Sequence, residues 1–140
     1  MSALVIDASV AVKWFLPEPH VHAARRVLKG KRTLLAPDLI WAEVGNVLWK
    51  RLQRKDITQE AAERILQDFK RFPLQTYATK TLLEPAWALA ARWRITVHDG
   101  LYLALAIGRG CTLVTADRSF VDDITEEPLA SVVVWVERIR

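Results

Sequence analysis

Near its amino terminus the chain carries the stretch Leu4-Val5-Ile6-Asp7-Ala8-Ser9. A short run rich in Val and Ile that stops at an acidic residue is typical of a buried parallel strand whose last side chain lies at the carboxyl edge of its sheet. Open α/β sheets bind their ligands at that edge. Asp7 and Ser9 are also good capping residues for a helix that begins near Val10, so this stretch alone leaves both roles open.

Composition limits the class of protein. The chain has 140 residues, 51% of them hydrophobic and 26% charged, which predicts one soluble globular domain, residues 1–140, with a real core. No apolar run reaches the roughly 18 residues of a membrane span, and no secretory signal is recognisable. Cys111 is the only cysteine, which excludes an internal disulfide and a thiolate metal cluster and favours a cytoplasmic location. The formal charge of +4 weakly suggests a polyanionic partner.

The apolar pattern predicts strands that alternate with helices along the whole chain. Strands are predicted at residues 4–6, 33–36, 74–77, 111–117 and 131–135. Helices are predicted at residues 9–15, about 18–29, from Asp38 as N-cap, from Thr58 as cap, from about Leu82, and at 101–107. Pro85 fits the helix from Leu82 only if it lies in the first turn. Such alternation predicts an α/β domain with a mainly parallel sheet.

Four acidic residues stand where they can reach one edge of that sheet. Asp7 and Asp117 follow two strands, Asp99 precedes a helix that is apolar on nearly every side, and Glu43 lies little more than one turn into its own helix. Two carboxylates about 4 Å apart repel by roughly 4 kcal/mol at an effective dielectric near 20, so such a cluster persists by binding a proton or a cation. Oxygen ligands without cysteine suit Mg²⁺ or Mn²⁺.

Ions of this kind support hydrolysis of phosphodiester bonds. The basic run at residues 50–55, with Lys13 and Arg118, could then hold a nucleic-acid backbone. Each feature also has an ordinary structural explanation, because Asp is a common helix cap and charge runs usually lie on solvated faces. The joint occurrence of four acids at one edge is what favours a functional site.

The joint pattern resembles the PIN-domain family, and in particular the VapC-type toxins of bacterial and archaeal toxin–antitoxin pairs. The segments that carry the resemblance are residues 5–10, 38–48, 98–106 and 113–120. None of these motifs is specific alone, but four in this order and spacing are. Two residues depart from the family pattern: His98 stands where the family often has tyrosine, and Gly100 where it usually has alanine. Neither departure replaces one of the four acidic residues.

The resemblance implies a three-layer α/β/α sandwich with a central, mainly parallel sheet. It implies a Mg²⁺- or Mn²⁺-dependent endoribonuclease that hydrolyses single-stranded regions of RNA, forms a homodimer, and is neutralised by a VapB-like antitoxin. The residues implied as catalytic and metal-binding are Asp7, Glu43, Asp99 and Asp117, with the hydroxyls of Ser9 and Thr115 supporting them. Asp122 lies in an ordinary polar turn and stays outside this set.

Three other classes of protein share parts of this pattern. A phosphoacceptor receiver domain needs paired acids after its first strand and a lysine after its last, and this chain has neither. A haloacid-dehalogenase-type phosphatase needs a second Asp where Ser9 stands. The remaining alternative is a non-catalytic PIN-like module that binds RNA or a partner. Loss of one acid would favour that alternative, and none is lost.

Overall fold

Five strands form one parallel sheet in the computed structural model, which describes residues 2–139. The strands are β1 (Ala3–Ile6), β2 (Thr33–Pro37), β3 (Leu74–Tyr77), β4 (Thr112–Thr115) and β5 (Val133–Trp135). Every pairing between neighbours is parallel. The predicted parallel sheet is therefore confirmed. Met1 and Arg140, the ends of the predicted domain, lie outside the described residues.

Seven α-helices connect these strands within residues 2–139. They are α1 (Ala8–Ala11), α2 (Val21–Arg26), α3 (Leu39–Gln53), α4 (Gln59–Lys70), α5 (Thr79–Trp93), α6 (Val97–Arg109) and α7 (Arg118–Asp123). The right-handed crossovers advance in one direction from β1 to β3 and in the opposite direction from β3 to β5, so α1–α4 and α5–α7 lie on opposite faces of the sheet. Helix α6 packs on β1, β2 and β4, and α5 packs on α6. The expected three-layer α/β/α sandwich is confirmed. Among the helices described, none is long and apolar enough to cross a membrane.

The strand order, β3-β2-β1-β4-β5, places a topological switch point beside β1. From β1 the chain adds β2 and β3 on one side, whereas β4 and β5 lie on the other. Connections that diverge in this way leave a crevice at the carboxyl ends of the two central strands, where open α/β sheets bind ligands. Asp7 directly follows β1 and Asp117 lies two residues after β4, so both border the crevice.

The start of α5 differs from the prediction. The helix begins at Thr79, not near Leu82, so Pro85 lies in its second turn and the expectation of a first-turn proline was wrong. The cause is a contact between distant parts of the chain. The Asp38 carboxylate accepts hydrogen bonds from the Thr79 backbone N (3.0 Å) and hydroxyl (2.6 Å), which starts the helix early. Asp38 makes no side-chain cap to its own helix, α3.

Helix α2 is shorter than predicted, covering Val21–Arg26 instead of about 18–29. The Arg32 guanidinium donates to the carbonyls of Arg26 (3.2 Å) and Val27 (3.4 Å), which otherwise would continue the helix or bind water. The predicted helix at 9–15 is also divided, into α1 and a 3₁₀ turn at Val12–Trp14. In both places the element exists as predicted, and its boundaries differ from the prediction.

Gly100 allows α6 to approach α5 closely. A Cβ at this position would lie 2.6 Å from the Ala86 carbonyl oxygen, a backbone atom that a rotamer change cannot move. Helix propensity alone would favour alanine by up to about 1 kcal/mol. We expect Gly100→Ala instead to lower the free energy of unfolding by about 1–3 kcal/mol, because overpacking dominates.

Urea unfolding measures this effect, and Gly108→Ala is the matched control. Gly108 lies in the same helix, and nothing is within 4 Å of its Cβ position. We expect the control to be neutral or stabilising. Equal stability of the two variants would show that the contact between α5 and α6 does not restrict position 100.

Candidate active site

Asp7 lies at the carboxyl end of β1 and is 6% exposed. Its Oδ1 atom accepts hydrogen bonds from the Ser9 hydroxyl (2.5 Å) and from the Val10 backbone N (3.2 Å). Asp7 is thus the N-cap of α1 and at the same time a carboxylate at the switch point of the sheet. The two roles that the sequence left open coexist in one side chain.

Two hydroxyls connect the ends of β1 and β4. Ser9 Oγ donates to Asp7, accepts from the Ala116 backbone N (2.9 Å), and lies 3.4 Å from Thr115 Oγ1. The Thr115 hydroxyl accepts from the Asp117 backbone N (3.0 Å), and Thr115 is fully buried. Because these hydrogen bonds link the end of β1 to the end of β4, they fix the position of Asp7 relative to that of Asp117.

Asp117 is the N-cap of α7. Its Oδ1 atom accepts from the Ser119 backbone N (3.1 Å), the Ser119 hydroxyl (2.7 Å) and the Phe120 backbone N (3.4 Å). No described residue donates a hydrogen bond to the other carboxylate oxygen, Oδ2. Capping therefore orients this carboxylate and leaves one oxygen for a further ligand.

Asp99 lies in the first turn of α6, which begins at Val97 and so extends further toward the amino terminus than the predicted 101–107, with Thr96 as its N-cap. The Thr96 hydroxyl accepts from the Asp99 backbone N (3.0 Å). Burial and the negative charges of Asp117 and Glu43 together raise the pKa of the Asp99 carboxyl to about 6, although the hydrogen bond to Thr96 and the nearby His98 act in the opposite direction. Asp99 therefore interacts electrostatically with carboxylates from two other elements.

Glu43, on α3, is held by a tyrosine that sequence reasoning missed. The Tyr102 hydroxyl on α6 donates to Glu43 Oε1 (2.6 Å), and His98 Nδ1 lies 3.9 Å from Oε2. Tyr102 is only 2% exposed. Its burial, and also the negative charge of Glu43 beside it, raise the pKa of the Tyr102 hydroxyl. The usable signal was a tyrosine in an otherwise aliphatic buried helix, because a buried hydroxyl needs a partner.

The four predicted carboxylates thus interact at one edge of the sheet. The pKa of Asp7 is raised to about 7, mainly by burial and slightly by the charge of Asp99, although hydrogen bonds from Ser9, Thr115 and Val10 lower it. Raised carboxyl pKa values in a cleft are typical of functional sites. Such a cluster binds a proton or a positive charge more favourably than isolated carboxylates do.

The fit to a metal ion is partial. The side chains offer only oxygen donors, which suits Mg²⁺ or Mn²⁺. However, no three acidic, imidazole or thiol groups among residues 2–139 are close enough together to hold an ion as they stand. The oxygen atoms of these side chains are of the kind that a hard divalent cation prefers. The carboxylates themselves lie further apart than the ligands of a bound ion do.

Three of the charged residues considered from the sequence, Lys13, Arg51 and Arg118, form ion pairs with other side chains. Lys13 is buried and pairs with Glu18 (3.1 Å), which also pairs with Arg51 from the basic run (2.7 Å). Arg118 pairs with Asp122 at 3.5 Å, and both side chains are more than half exposed. Lys13 is therefore not available as a free cation for a nucleic-acid backbone, whereas the exposed pair of Arg118 with Asp122 is weak. Among residues 2–139, no hydrogen bond or ion pair connects Asp122 to the four carboxylates.

Tyr102→Phe removes the hydrogen bond to Glu43 and keeps the ring. We expect a loss of about 1 kcal/mol in the free energy of unfolding, since Glu43 is partly exposed and water replaces the bond. If Glu43 acts in catalysis, the turnover rate falls about tenfold, because the carboxylate loses its orientation. Urea unfolding and initial rates measure the two effects. An unchanged rate in a folded variant would show that this hydrogen bond does not position Glu43.

The family follows from a comparison of the whole chain with known proteins. The model of the PIN domain matches residues 4–123, a range that contains all four carboxylates. The chain belongs to the PIN-domain family. This confirms the resemblance inferred from the four motifs.

Curated relatives are VapC ribonucleases. Ribonuclease VapC3 of Pyrobaculum aerophilum is 34% identical over 123 residues, 85% of this chain and 92% of the relative. Ribonuclease VapC9 of Mycobacterium tuberculosis is 31% identical over 119 residues, 85% of this chain and 89% of the relative. Both alignments extend over nearly the whole fold.

Solved structures show the same fold at lower identity. A crystal structure from Pyrobaculum aerophilum has a TM-score of 0.71 at 23% identity, covering 97% of this chain and 85% of that one. VapBC2 from Rickettsia felis, bound to a DNA fragment from its promoter, gives 0.65 at 15% identity, covering 95% and 98%. These structures support the α/β/α assignment.

Proposed function

We propose that this protein is an endoribonuclease of the VapC type, which uses Mg²⁺ or Mn²⁺ to hydrolyse phosphodiester bonds in single-stranded regions of RNA. The observation that carries the proposal is the convergence of Asp7, Glu43, Asp99 and Asp117 at the switch point of a parallel sheet. Relatives over 30% identical are named as ribonucleases, which supports the same activity.

Asp7 and Asp99 would hold the cation, with Glu43 and Asp117 joining directly or through water. A bound divalent cation supplies activation of the attacking water and stabilisation of negative charge on the departing oxygen. Ser9 orients the Asp7 carboxylate, and the Tyr102 hydroxyl orients that of Glu43. Helix capping by Asp7 and Asp117 fixes these side chains on rigid elements, as a preorganised site requires.

The same proposal includes the partners that the family resemblance implies. The protein would act in the cytoplasm as a homodimer and be neutralised by a VapB-like antitoxin. A chain of a toxin–antitoxin complex from Klebsiella pneumoniae has the same fold, with a TM-score of 0.62 at 15% identity, which supports an antitoxin as the partner.

Cleavage of a mixture of structured RNAs by the purified protein tests the activity. We expect cutting with Mg²⁺ or Mn²⁺, loss of cutting with EDTA, and recovery when excess metal is added. Equal cutting with and without EDTA would contradict metal dependence. RNA binding without cutting under every condition would favour the non-catalytic PIN-like module instead.

A further inference from the structure

We propose that a groove beside the acidic cluster binds the nucleotide next to the bond that is cut, with His98 stacking on its base and Lys50 pairing with its phosphate. The inference rests on the proposed function and adds the residues that would position the substrate. We call this feature the α3 groove. Its polar lining residues are Ser9, Glu43, Asn46, Lys50 and His98.

The α3 groove is continuous with the candidate active site. Ser9 and Glu43 line the groove and also belong to the hydrogen-bond network of the carboxylates. Its volume is about 520 Å³, within the roughly 300–1,000 Å³ of sites that bind small ligands. The rest of its lining is apolar, from Ala8, Leu39, Ala42 and Val47. A nucleotide bound there would adjoin the four carboxylates.

The polar groups of α3 form one stripe that leads away from the cluster. Glu43, Asn46 and Lys50 lie at helical positions i, i+3 and i+7, which share one side of a helix. Seven residues correspond to about 10 Å along the helix axis. The adjoining side buries Val44 and Leu48 in the core. Lys50 therefore lies about two helical turns beyond Glu43, which places it for a phosphate that neighbours the scissile one.

Lys50 is the residue of the basic run that is both free and in the groove. Its ammonium has no ion pair or hydrogen bond among the described residues, whereas the adjacent Arg51 pairs with Glu18 (2.7 Å) and Asp56 (3.8 Å). A phosphate chain that approaches four carboxylates is repelled, so a cation beside them is needed to hold it. Lysine binds phosphate as a point charge without demanding one geometry.

His98, on α6, also lines the groove, and its ring is largely exposed. Its side chain is 65% exposed, and Nδ1 lies 3.9 Å from Glu43 Oε2. Single-stranded RNA is recognised by stacking of unpaired bases on aromatic side chains, histidine included. Stacking needs the flat ring and not its charge, so phenylalanine should replace His98 in this role.

Binding of a short fluorescein-labelled single-stranded RNA of mixed sequence tests the groove, measured by fluorescence anisotropy with Asp99→Asn in every protein to prevent cutting. We expect Lys50→Ala and His98→Ala each to weaken binding about 5- to 20-fold. Lys50→Ala should also reduce the slope of log affinity against log salt by about 0.7, and His98→Ala should leave it unchanged. His98→Phe should restore binding.

Arg54→Ala is the matched control, because it removes the same charge from the carboxyl end of the same helix outside the groove. We expect it to weaken binding less than about twofold. Circular dichroism and thermal unfolding confirm that each variant is folded. Binding by Lys50→Ala that equals binding by Arg54→Ala would overturn the phosphate contact. Failure of His98→Phe to restore binding would overturn the stacking contact.

Kinetics in the otherwise wild-type protein separate the two proposals. With the RNA that the protein cuts, Lys50→Ala and His98→Ala should raise KM by about the loss in affinity, while kcat falls less. Normal KM values in these variants, with cutting intact, would overturn the groove and leave the nuclease standing. Groove-dependent RNA binding by a wild-type protein that cuts nothing would support the groove and overturn the nuclease.

Discussion

Asp99→Asn is expected to lower the rate of RNA cleavage by about 10²- to 10⁴-fold while the fold remains intact. Among the described residues, the Asp99 carboxyl interacts with charges from three other elements, on Asp7, Glu43 and Asp117. Asparagine keeps the size of the side chain and removes its charge, so the proposed cation and attacking water would lose one of their principal partners. Initial rates of cleavage with Mg²⁺ measure the effect.

Stability should change little in this variant. A carboxylate in the first turn of α6 is worth about 0.3–1 kcal/mol through the helix dipole, and its loss is offset by relief of repulsion from Glu43 and Asp117. Asp122→Asn is the control, because it removes an exposed carboxylate that pairs with Arg118. We expect the control to cut at the wild-type rate. Equal rates for both variants would show that the acidic cluster is not the catalytic centre.

Asp7→Asn is expected to stabilise the metal-free protein at about pH 8. The pKa of Asp7 is about 7 in the folded protein and 3.8 as an ordinary aspartate, so the folded state holds the proton more tightly. The contribution of protonated Asp7 to the free energy of unfolding is fully present below pH 3.8 and is lost as the pH rises through about 7. The ionised form then costs on the order of 4 kcal/mol.

Asparagine avoids that cost but does not reproduce every contact. Its amide oxygen can still accept from the Val10 backbone N, whereas the Ser9 hydroxyl loses part of its present arrangement. We therefore expect a net gain of about 1–3 kcal/mol in the free energy of unfolding at this pH. Cleavage should be abolished in the same variant, although its fold is more stable, because the proposed cation loses the Asp7 carboxylate as a ligand.

Urea unfolding in EDTA at about pH 5 and pH 8 distinguishes the cause. The wild type should be less stable at the higher pH, and Asp7→Asn should show a smaller difference. Asp99, with a pKa raised to about 6, acts in the same direction and explains a residual slope in the variant. Added Mg²⁺ should stabilise the wild type at the higher pH more than Asp7→Asn. Unfolding of Asp7→Asn at both pH values would show that Asp7 is mainly structural.

Local sequence determined the elements and the candidate acids. An apolar strand that ends in Asp7, and another that is followed by Asp117, can be recognised because strand pattern and capping depend on residues within a few positions. The buried helix behind Asp99 follows from its apolar residues in the same way. These features predicted a parallel α/β sheet, and the whole-chain comparison confirmed the family.

Tertiary structure decided what joins distant parts of the chain. The hydrogen bond from Tyr102 to Glu43 spans 59 positions, and that from Thr79 to Asp38 spans 41. The close approach that requires Gly100 depends on how α6 crosses α5. The division of the basic run into a paired Arg51 and a free Lys50 depends on where Glu18 lies. Sequence patterns cannot encode such contacts, because they arise only when packing brings together side chains whose local environments are unrelated.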